Sequence, residues 1–213
     1  MKAIETIEKF FSLANQDYIG EPVSQIEHAL QSAYFADQSR QSDEVVIASL
    51  LHDIGHFASD SKQNTMSHLG IVQHEWIGAM LAYALNVSPK VALLIGYHVD
   101  AKRYLAAKKP LYYERLSDAS KKTLAFQGGP MCLTEMRVFE SLPYFREILQ
   151  VRINDEKAKE VNLTVPNLDF YLPRIAIHIA EQTQILKNPF IVKDYISVQE
   201  IAAFKEYVAL MHI

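Results

Sequence analysis

Residues 50–57 read LLHDIGHF and place a histidine and an aspartate, His52 and Asp53, side by side in an apolar helical stretch. Neighbouring side chains on an α-helix point about 100° apart. One metal ion can therefore bind both only near the end of the helix; alternatively, Asp53 bridges two metal ions and His52 binds one of them. His56 lies four residues after His52, on the same helix face, as a hydrogen-bonding group, an acid/base or a further ligand.

Four further residues have side chains that bind the same kinds of metal: His28, His74, His98 and Asp155. With His52 and Asp53 they make six candidate ligands. One metal ion usually takes fewer from a protein while keeping a position open for chemistry. Imidazole and carboxylate together favour iron, zinc, manganese or nickel over calcium and magnesium, which prefer oxygen ligands. The count favours more than one metal ion.

Two of these candidates have a cation one helical turn away. Lys102 lies four residues after His98, and Arg152 lies three residues before Asp155. Side chains at these spacings share a helix face. A metal flanked by lysine and arginine suits an anionic, phosphate-like substrate.

The bulk composition is that of an ordinary globular domain: 213 residues, 49% apolar and 22% charged. A net charge of −4 offers no basic field for nucleic acid or an anionic membrane, so we expect neither partner. No apolar run reaches the roughly 20 residues of a membrane span, and the acidic amphipathic N-terminus is unlike a signal peptide. We therefore expect a cytoplasmic protein. The single cysteine, Cys132, excludes an internal disulfide, and we expect it to be buried as a small hydrophobic residue.

Helical periodicity runs through almost the whole chain, which predicts an all-α fold. Ser24, with Glu27 three residues later, predicts a capping box before the His28 helix. Ser42 predicts the N-cap of the next helix, and Ser88-Pro89 predicts the start of a helix that delivers His98. We expect further helices over about 2–14, 67–85 (carrying His74), 132–140, 143–158, 168–186 and 197–211, with short helices between 100 and 131. We expect one domain over residues 1–185, with residues 186–213 as a helical extension of it.

The order His28, His52-Asp53, Asp155 resembles the HD-domain superfamily, a helical bundle of metal-dependent phosphohydrolases and some oxygenases. His74 and His98 look like the added ligands of its two-metal branch. Within that branch the chain resembles the mixed-valent diiron oxygenases of the PhnZ type, which degrade phosphonates; it is more distantly similar to myo-inositol oxygenase. The likeness spans roughly residues 10–160 and rests on the segments DYIGEPVSQIEHALQSA (17–33), LLHDIGHF (50–57), QHE (73–75), YHVDAKRY (97–104) and LSDASKKTLAFQGGPM (116–131).

This resemblance implies two iron ions, Fe2+ and Fe3+, with Asp53 as the carboxylate between them. The implied iron ligands are His28, His52, Asp53, His74, His98 and Asp155. The implied substrate-binding residues are Tyr18, Glu21, His56, Lys102, Ser120 and Arg152. Among these, Lys102, Ser120 and Arg152 would hold phosphonate oxygens. Tyr18 and Glu21 would form a gate, in which the tyrosine occupies a metal position at rest and the glutamate grips the amino group of the substrate.

The implied activity is O2-dependent cleavage of the carbon–phosphorus bond of 1-hydroxy-2-aminoethylphosphonate or its N-trimethylated analogue, which releases phosphate and glycine or glycine betaine. The sequence leaves open which amine is used and how the chain oligomerises. One alternative is an HD phosphohydrolase acting on a nucleotide or a phosphate monoester. Another is a non-catalytic sensing or scaffolding HD domain, but such a domain should have lost ligands, and none of the six is lost here.

Overall fold

The structure, a computed structural model, describes residues 2–13, 20–57 and 72–187. In this part of the chain the regular structure is helical, as the sequence predicts, with eleven α-helices and one short 3₁₀ helix at Ile54–Phe57. The α-helices are α1 Lys2–Leu13, α2 Gln25–Gln38, α3 Asp43–Leu51, α4 His74–Ala84, α5 Pro89–Gly96, α6 His98–Lys108, α7 Pro110–Arg115, α8 Asp118–Phe126, α9 Leu133–Glu140, α10 Phe145–Lys157 and α11 Leu168–Lys187. No described helix is long and apolar enough to cross a membrane.

The predicted helix starts are confirmed where a side chain caps the backbone. Ser24 accepts from the N–H of Glu27, whose carboxylate accepts in return from Ser24 N at 2.7 Å. Ser42 caps α3 and Ser88 caps α5, with Pro89 in the first turn of α5. Each cap satisfies an N–H that has no partner within its own helix.

The core lies where α2, α3, α5 and α10 pack together. α2 lies against α3 and α10, while α3 also contacts α5. Residues 45–51 of α3 are all buried, with Ile47, Leu50 and Leu51 at 1% exposure or less. This helix is therefore the central element of the core. The ligand-bearing ends of the surrounding helices therefore face one interior region.

Three boundary predictions are wrong, and each concerns a residue of the predicted site. The helix that carries His74 begins at His74 rather than near residue 67, because Gln73 adopts a left-handed conformation with φ 62°. The helix that begins at Pro89 ends at Gly96, so His98 starts a separate helix, α6. His56 does not continue the helix of His52: α3 ends at Leu51 with His52 as its C-cap, and His56 belongs to the 3₁₀ helix.

A close backbone approach joins the 3₁₀ helix to α4. A Cβ atom on Gly55 would lie 2.0 Å from the carbonyl oxygen of His74 and 2.7 Å from the amide nitrogen of Gly78. Only a glycine lets the segment after Asp53 come this close to the first turn of α4. This contact fixes the distance between Asp53 and His74.

Two predictions that concern regions outside the site have different outcomes. The prediction that Cys132 is buried is wrong: the residue is exposed at the N-cap of α9, where its N–H donates to Glu135 Oε2 at 2.7 Å. The first turn of α9 lies at the surface, where the neighbouring Leu133 is 74% exposed, and this placement outweighs the usual burial of cysteine. The predicted helix near 197–211 lies outside the described residues, and α11 runs past the expected boundary at residue 185 to Lys187. The division of the chain at that point stays a prediction.

Candidate metal and substrate site

Six predicted ligands from separate elements meet in one buried cluster. His28 comes from α2, His52 and Asp53 from the turn after α3, His74 and His98 from the first turns of α4 and α6, and Asp155 from α10. All six are at most 8% exposed. The Nε2 atoms of His28 and His52 lie 3.1 Å apart, and those of His74 and His98 lie 3.3 Å apart. The cluster therefore contains two pairs of histidines.

Backbone carbonyls fix the tautomers of three rings. Nδ1 of His28 lies 2.7 Å from Ala158 O, Nδ1 of His52 lies 2.8 Å from Ser49 O, and Nδ1 of His98 lies 2.7 Å from Ile95 O. A carbonyl oxygen only accepts, so each Nδ1 donates and a neutral ring keeps its lone pair on Nε2. These lone pairs point at one another in a buried space. A shared proton or a metal ion between them would satisfy these lone pairs, and divalent metals bind imidazole in this way.

Asp53 lies between the two histidine pairs. Its Oδ2 faces Nε2 of His52 at 3.4 Å and of His28 at 3.7 Å. Its Oδ1 faces Nε2 of His74 at 3.3 Å and of His98 at 3.7 Å. Within the described residues Oδ2 is buried without a hydrogen-bond partner, as expected of an oxygen placed to bind a metal. One carboxylate thus serves both pairs.

Asp155 completes the first of these groups. Its Oδ1 lies 3.3 Å from Nε2 of His28 and 3.9 Å from Nε2 of His52. The second group has His56 beside it: the ring stacks on His74 with centroids 4.0 Å apart, and Nε2 lies 3.9 Å from Asp53 Oδ1. His56 is therefore close enough to act as a donor to the second group or to contact a molecule bound there.

The electrostatics of the cluster favour added positive charge. Burial opposes ionisation of Asp53, but His52 and His74 hold the pKa of its carboxyl well below the usual range. Burial likewise opposes a charge on His52, yet Asp53 and Asp155 raise its pKa to about 9. Burial, together with His52 and His74, keeps the pKa of His98 well below its ordinary value. The ring therefore stays neutral, and its Nε2 keeps a lone pair that can bind a metal ion. Two ionised carboxylates among buried imidazoles form a set of side chains that suits a divalent metal ion.

Two predicted phosphonate-binding cations lie beside the cluster, both at 4% exposure. Lys102 donates from Nζ to Thr123 Oγ1 at 3.1 Å. Burial, with Arg152 and its charge nearby, lowers the pKa of Lys102 to about 7. Arg152 donates to Asp155, to Glu156 and, from Nε at 2.8 Å, to the hydroxyl of Tyr112. Two buried cations beside the cluster of histidines and aspartates suit an anionic ligand.

A third cation, Lys159, was missed by the sequence reasoning. Its Nζ lies 2.9 Å from Ser120 Oγ and 3.0 Å from Glu21 Oε1. Lys159 lies four residues after Asp155, the same spacing that singled out Lys102 after His98, so the signal was present in the sequence. The structure thus brings Glu21 and Ser120 together through a lysine. Tyr18, the other expected member of the gate, lies outside the described residues.

The three histidines outside the predicted site are only partly described. His178 is 7% exposed on α11, and its Nε2 accepts from the N–H of Ser88 at 3.1 Å. This is the structural role expected of a core histidine with its hydrogen bond satisfied. His68 and His212 lie outside the described ranges.

Comparisons with known proteins identify the family of the chain. Residues 25–125 match the HD domain family. The chain is 40% identical over 161 residues to the [1-hydroxy-2-(trimethylamino)ethyl]phosphonate dioxygenase (glycine-betaine-forming) of Leisingera caerulea, an alignment that covers 76% of this chain and 82% of that protein. It is 37% identical over 171 residues to the hydroxymethylphosphonate dioxygenase of Gimesia maris, covering 78% of this chain and 85% of the relative. Because these alignments span most of both chains, the protein belongs to the PhnZ-type HD-domain oxygenases, the family of these phosphonate dioxygenases.

Proposed function

We propose that this protein uses O2 to cleave the carbon–phosphorus bond of a 1-hydroxyphosphonate, namely 1-hydroxy-2-aminoethylphosphonate or its N-trimethylated form. The products are inorganic phosphate and glycine or glycine betaine. The observation that carries this proposal is the pair of histidine groups that share Asp53, with Lys102 and Arg152 buried beside them. The atom balance agrees with one O2 per turnover, because one oxygen atom converts phosphonate to phosphate and the other converts the carbinol carbon to carboxylate.

The residues fit two iron ions. The first would be held by His28, His52, Asp53 and Asp155, and the second by Asp53, His74 and His98. The second group contains fewer protein ligands, which leaves room for exogenous ligands. When bound, the irons supply the redox chemistry that a single zinc ion lacks.

The protein's own residues would position the phosphonate. Lys102 and Arg152 are buried donors whose charges would meet the dianionic head group in a dry environment, where such contacts are strongest. A dianion beside Lys102 would also favour its protonated form, since its pKa of about 7 reflects burial and neighbouring positive charge. Ser120, 9% exposed in the first turn of α8, would add a hydroxyl contact. The fixed positive charges of Lys102 and Arg152 would also stabilise the phosphate as its bond to carbon breaks.

The test is purification with iron under anaerobic conditions, followed by assays with 1-hydroxy-2-aminoethylphosphonate, its N-trimethylated form and hydroxymethylphosphonate. We expect phosphate release that requires O2 and consumes it in equal amount, with two iron ions bound per chain. Release of phosphate from phosphate esters without O2 would instead identify a phosphohydrolase. A protein that binds no metal would contradict both enzymatic functions.

A further inference from the structure

Lys159 lies between two carboxylates of the site. Its Nζ contacts Glu21 Oε1 at 3.0 Å on one side and Glu156 Oε1 at 3.3 Å on the other, with Ser120 Oγ at 2.9 Å. Glu156 in turn accepts from Arg152, which binds Asp155. A continuous chain of charged contacts therefore runs from Glu21 to a metal ligand.

Glu21 is a buried carboxylate whose charge is already compensated. Its side chain is 6% exposed, that of Lys159 is 14% exposed, and Ser117 donates to the same oxygen that faces the lysine. A buried carboxylate that lacked this lysine would attract a cationic ligand strongly, because Coulomb interactions are weakly screened away from water. Lys159 removes most of that attraction.

The two related dioxygenases are named for substrates that differ in this respect. One name specifies a phosphonate with a trimethylammonium group, and the other specifies hydroxymethylphosphonate, which has no nitrogen. Both molecules carry a phosphonate, but only the first carries a cationic nitrogen. The ion pair between Glu21 and Lys159 therefore affects the binding of the two molecules differently.

We propose that Lys159 is a specificity-determining residue, which compensates the charge of Glu21 and so reduces the preference of the site for substrates with a cationic nitrogen over those that lack one. This inference rests on the proposed function of the site. A cationic substrate either separates Glu21 from Lys159 or approaches a carboxylate that is already paired, and both routes reduce its binding free energy. A 1-hydroxyphosphonate without a cationic nitrogen leaves the pair intact. Specificity is a difference between two affinities, so this effect is measured as a ratio.

The experiment compares Lys159→Met with the wild-type iron-loaded protein. Dissociation constants are measured by anaerobic calorimetry, and kcat/KM by phosphate release in O2, for [1-hydroxy-2-(trimethylamino)ethyl]phosphonate and for hydroxymethylphosphonate. We expect both ratios to shift about tenfold in favour of the cationic substrate, a change of about 1.4 kcal/mol. Glu21→Gln should shift them the opposite way.

Matched variants separate charge from structure. Lys157→Met makes the same change at an exposed lysine of α10 and should leave both ratios unchanged. Lys159→Arg keeps the charge and should keep the wild-type preference, whereas Lys159→Gln should reproduce the shift even if the methionine variant fails to fold.

Two results would overturn the inference. One is an equal loss of affinity for both substrates in Lys159→Met, which would make the lysine a phosphonate anchor; the other is an unchanged ratio. A wild-type protein that releases no phosphate from either compound contradicts the proposed function instead. Because binding is measured without O2, the affinity ratio tests Lys159 independently of turnover.

Discussion

Oδ1 of Asp53 lies 3.3 Å from Nε2 of His74, across the gap between the turn after α3 and the first turn of α4. The other oxygen of the same carboxylate faces His52 and His28. Asp53 thus lies between the two pairs of histidines. Because α3 ends at Leu51 with His52 as its C-cap, both His52 and Asp53 lie at the end of this helix.

Replacing this shared carboxylate should affect both metal ions. We expect Asp53→Asn to lose both irons, because a carboxamide has one neutral acceptor oxygen and cannot serve two metals. Asp155→Asn should lose iron mainly from the His28 and His52 group. Metal analysis and Mössbauer spectra of each variant measure this difference, with Asp169→Asn, an exposed aspartate of α11, as the control. Retention of both irons in Asp53→Asn would contradict the shared role.

Gly55 should be required for the approach of the 3₁₀ helix to α4. A methyl group there would meet the backbone of His74 at 2.0 Å, so the Gly55→Ala substitution must push α4 away from Asp53. We expect the free energy of unfolding to fall by at least about 2 kcal/mol and iron to be lost from the His74 and His98 group. Gly78→Ala is the matched comparison, since its nearest contacts would be 3.2–3.3 Å and should cost less. Denaturant unfolding and metal analysis check both effects; equal behaviour of the two variants would count against the close contact.

Lys102 should matter for substrate affinity and not for metal binding. Replacing it by methionine keeps the apolar stem and removes one charged donor, so we expect KM for each phosphonate to rise roughly 10- to 100-fold, as a charged hydrogen bond contributes about 1.5–3 kcal/mol. Iron content should remain that of the wild type. Steady-state phosphate release and metal analysis provide the measurements. Lys122→Met, at an exposed lysine of α8, should change neither quantity; an unaltered KM in the Lys102 variant would remove this residue from the binding site.

His178 should make folding stability sensitive to pH. Burial lowers the pKa of its imidazole, and this outweighs the attraction of Glu44, Glu181 and Asp43. The hydrogen bond from Ser88 also requires an unprotonated Nε2. Because the folded pKa lies below the unfolded value of about 6.5, this stability is fully present above that pH and is lost as the pH falls through the folded pKa.

Denaturant unfolding at pH 7.5 and pH 5, with His178→Gln as the comparison, isolates this contribution. Glutamine keeps an acceptor for the Ser88 N–H and does not titrate, so its loss of stability between the two pH values should be smaller. The metal ligands titrate in both proteins and cancel in the difference. An identical pH dependence in the two proteins would exclude His178 as the cause.

Much of the site was predictable because its signals are local. Ligand identity depends on side-chain chemistry, and the caps at Ser24, Ser42 and Ser88 depend on hydrogen bonds within three residues, so both are visible in the sequence. Lys102 was predicted for the same reason, because it lies only four residues after His98 and on the same face of a helix. By the same spacing Lys159 could have been found, although α10 ends before it.

The sequence by itself determined the helical class, the six candidate ligands and the need for an anionic substrate, because periodicity, residue type and charge are properties of short segments. Only the tertiary structure decided how those ligands are divided. That division depends on where α3 ends, on the left-handed turn at Gln73 and on the close approach at Gly55, which are set by packing between distant segments. The pairing of Glu21 with Lys159 is likewise a contact between residues 138 positions apart, a long-range relation that local pattern does not encode.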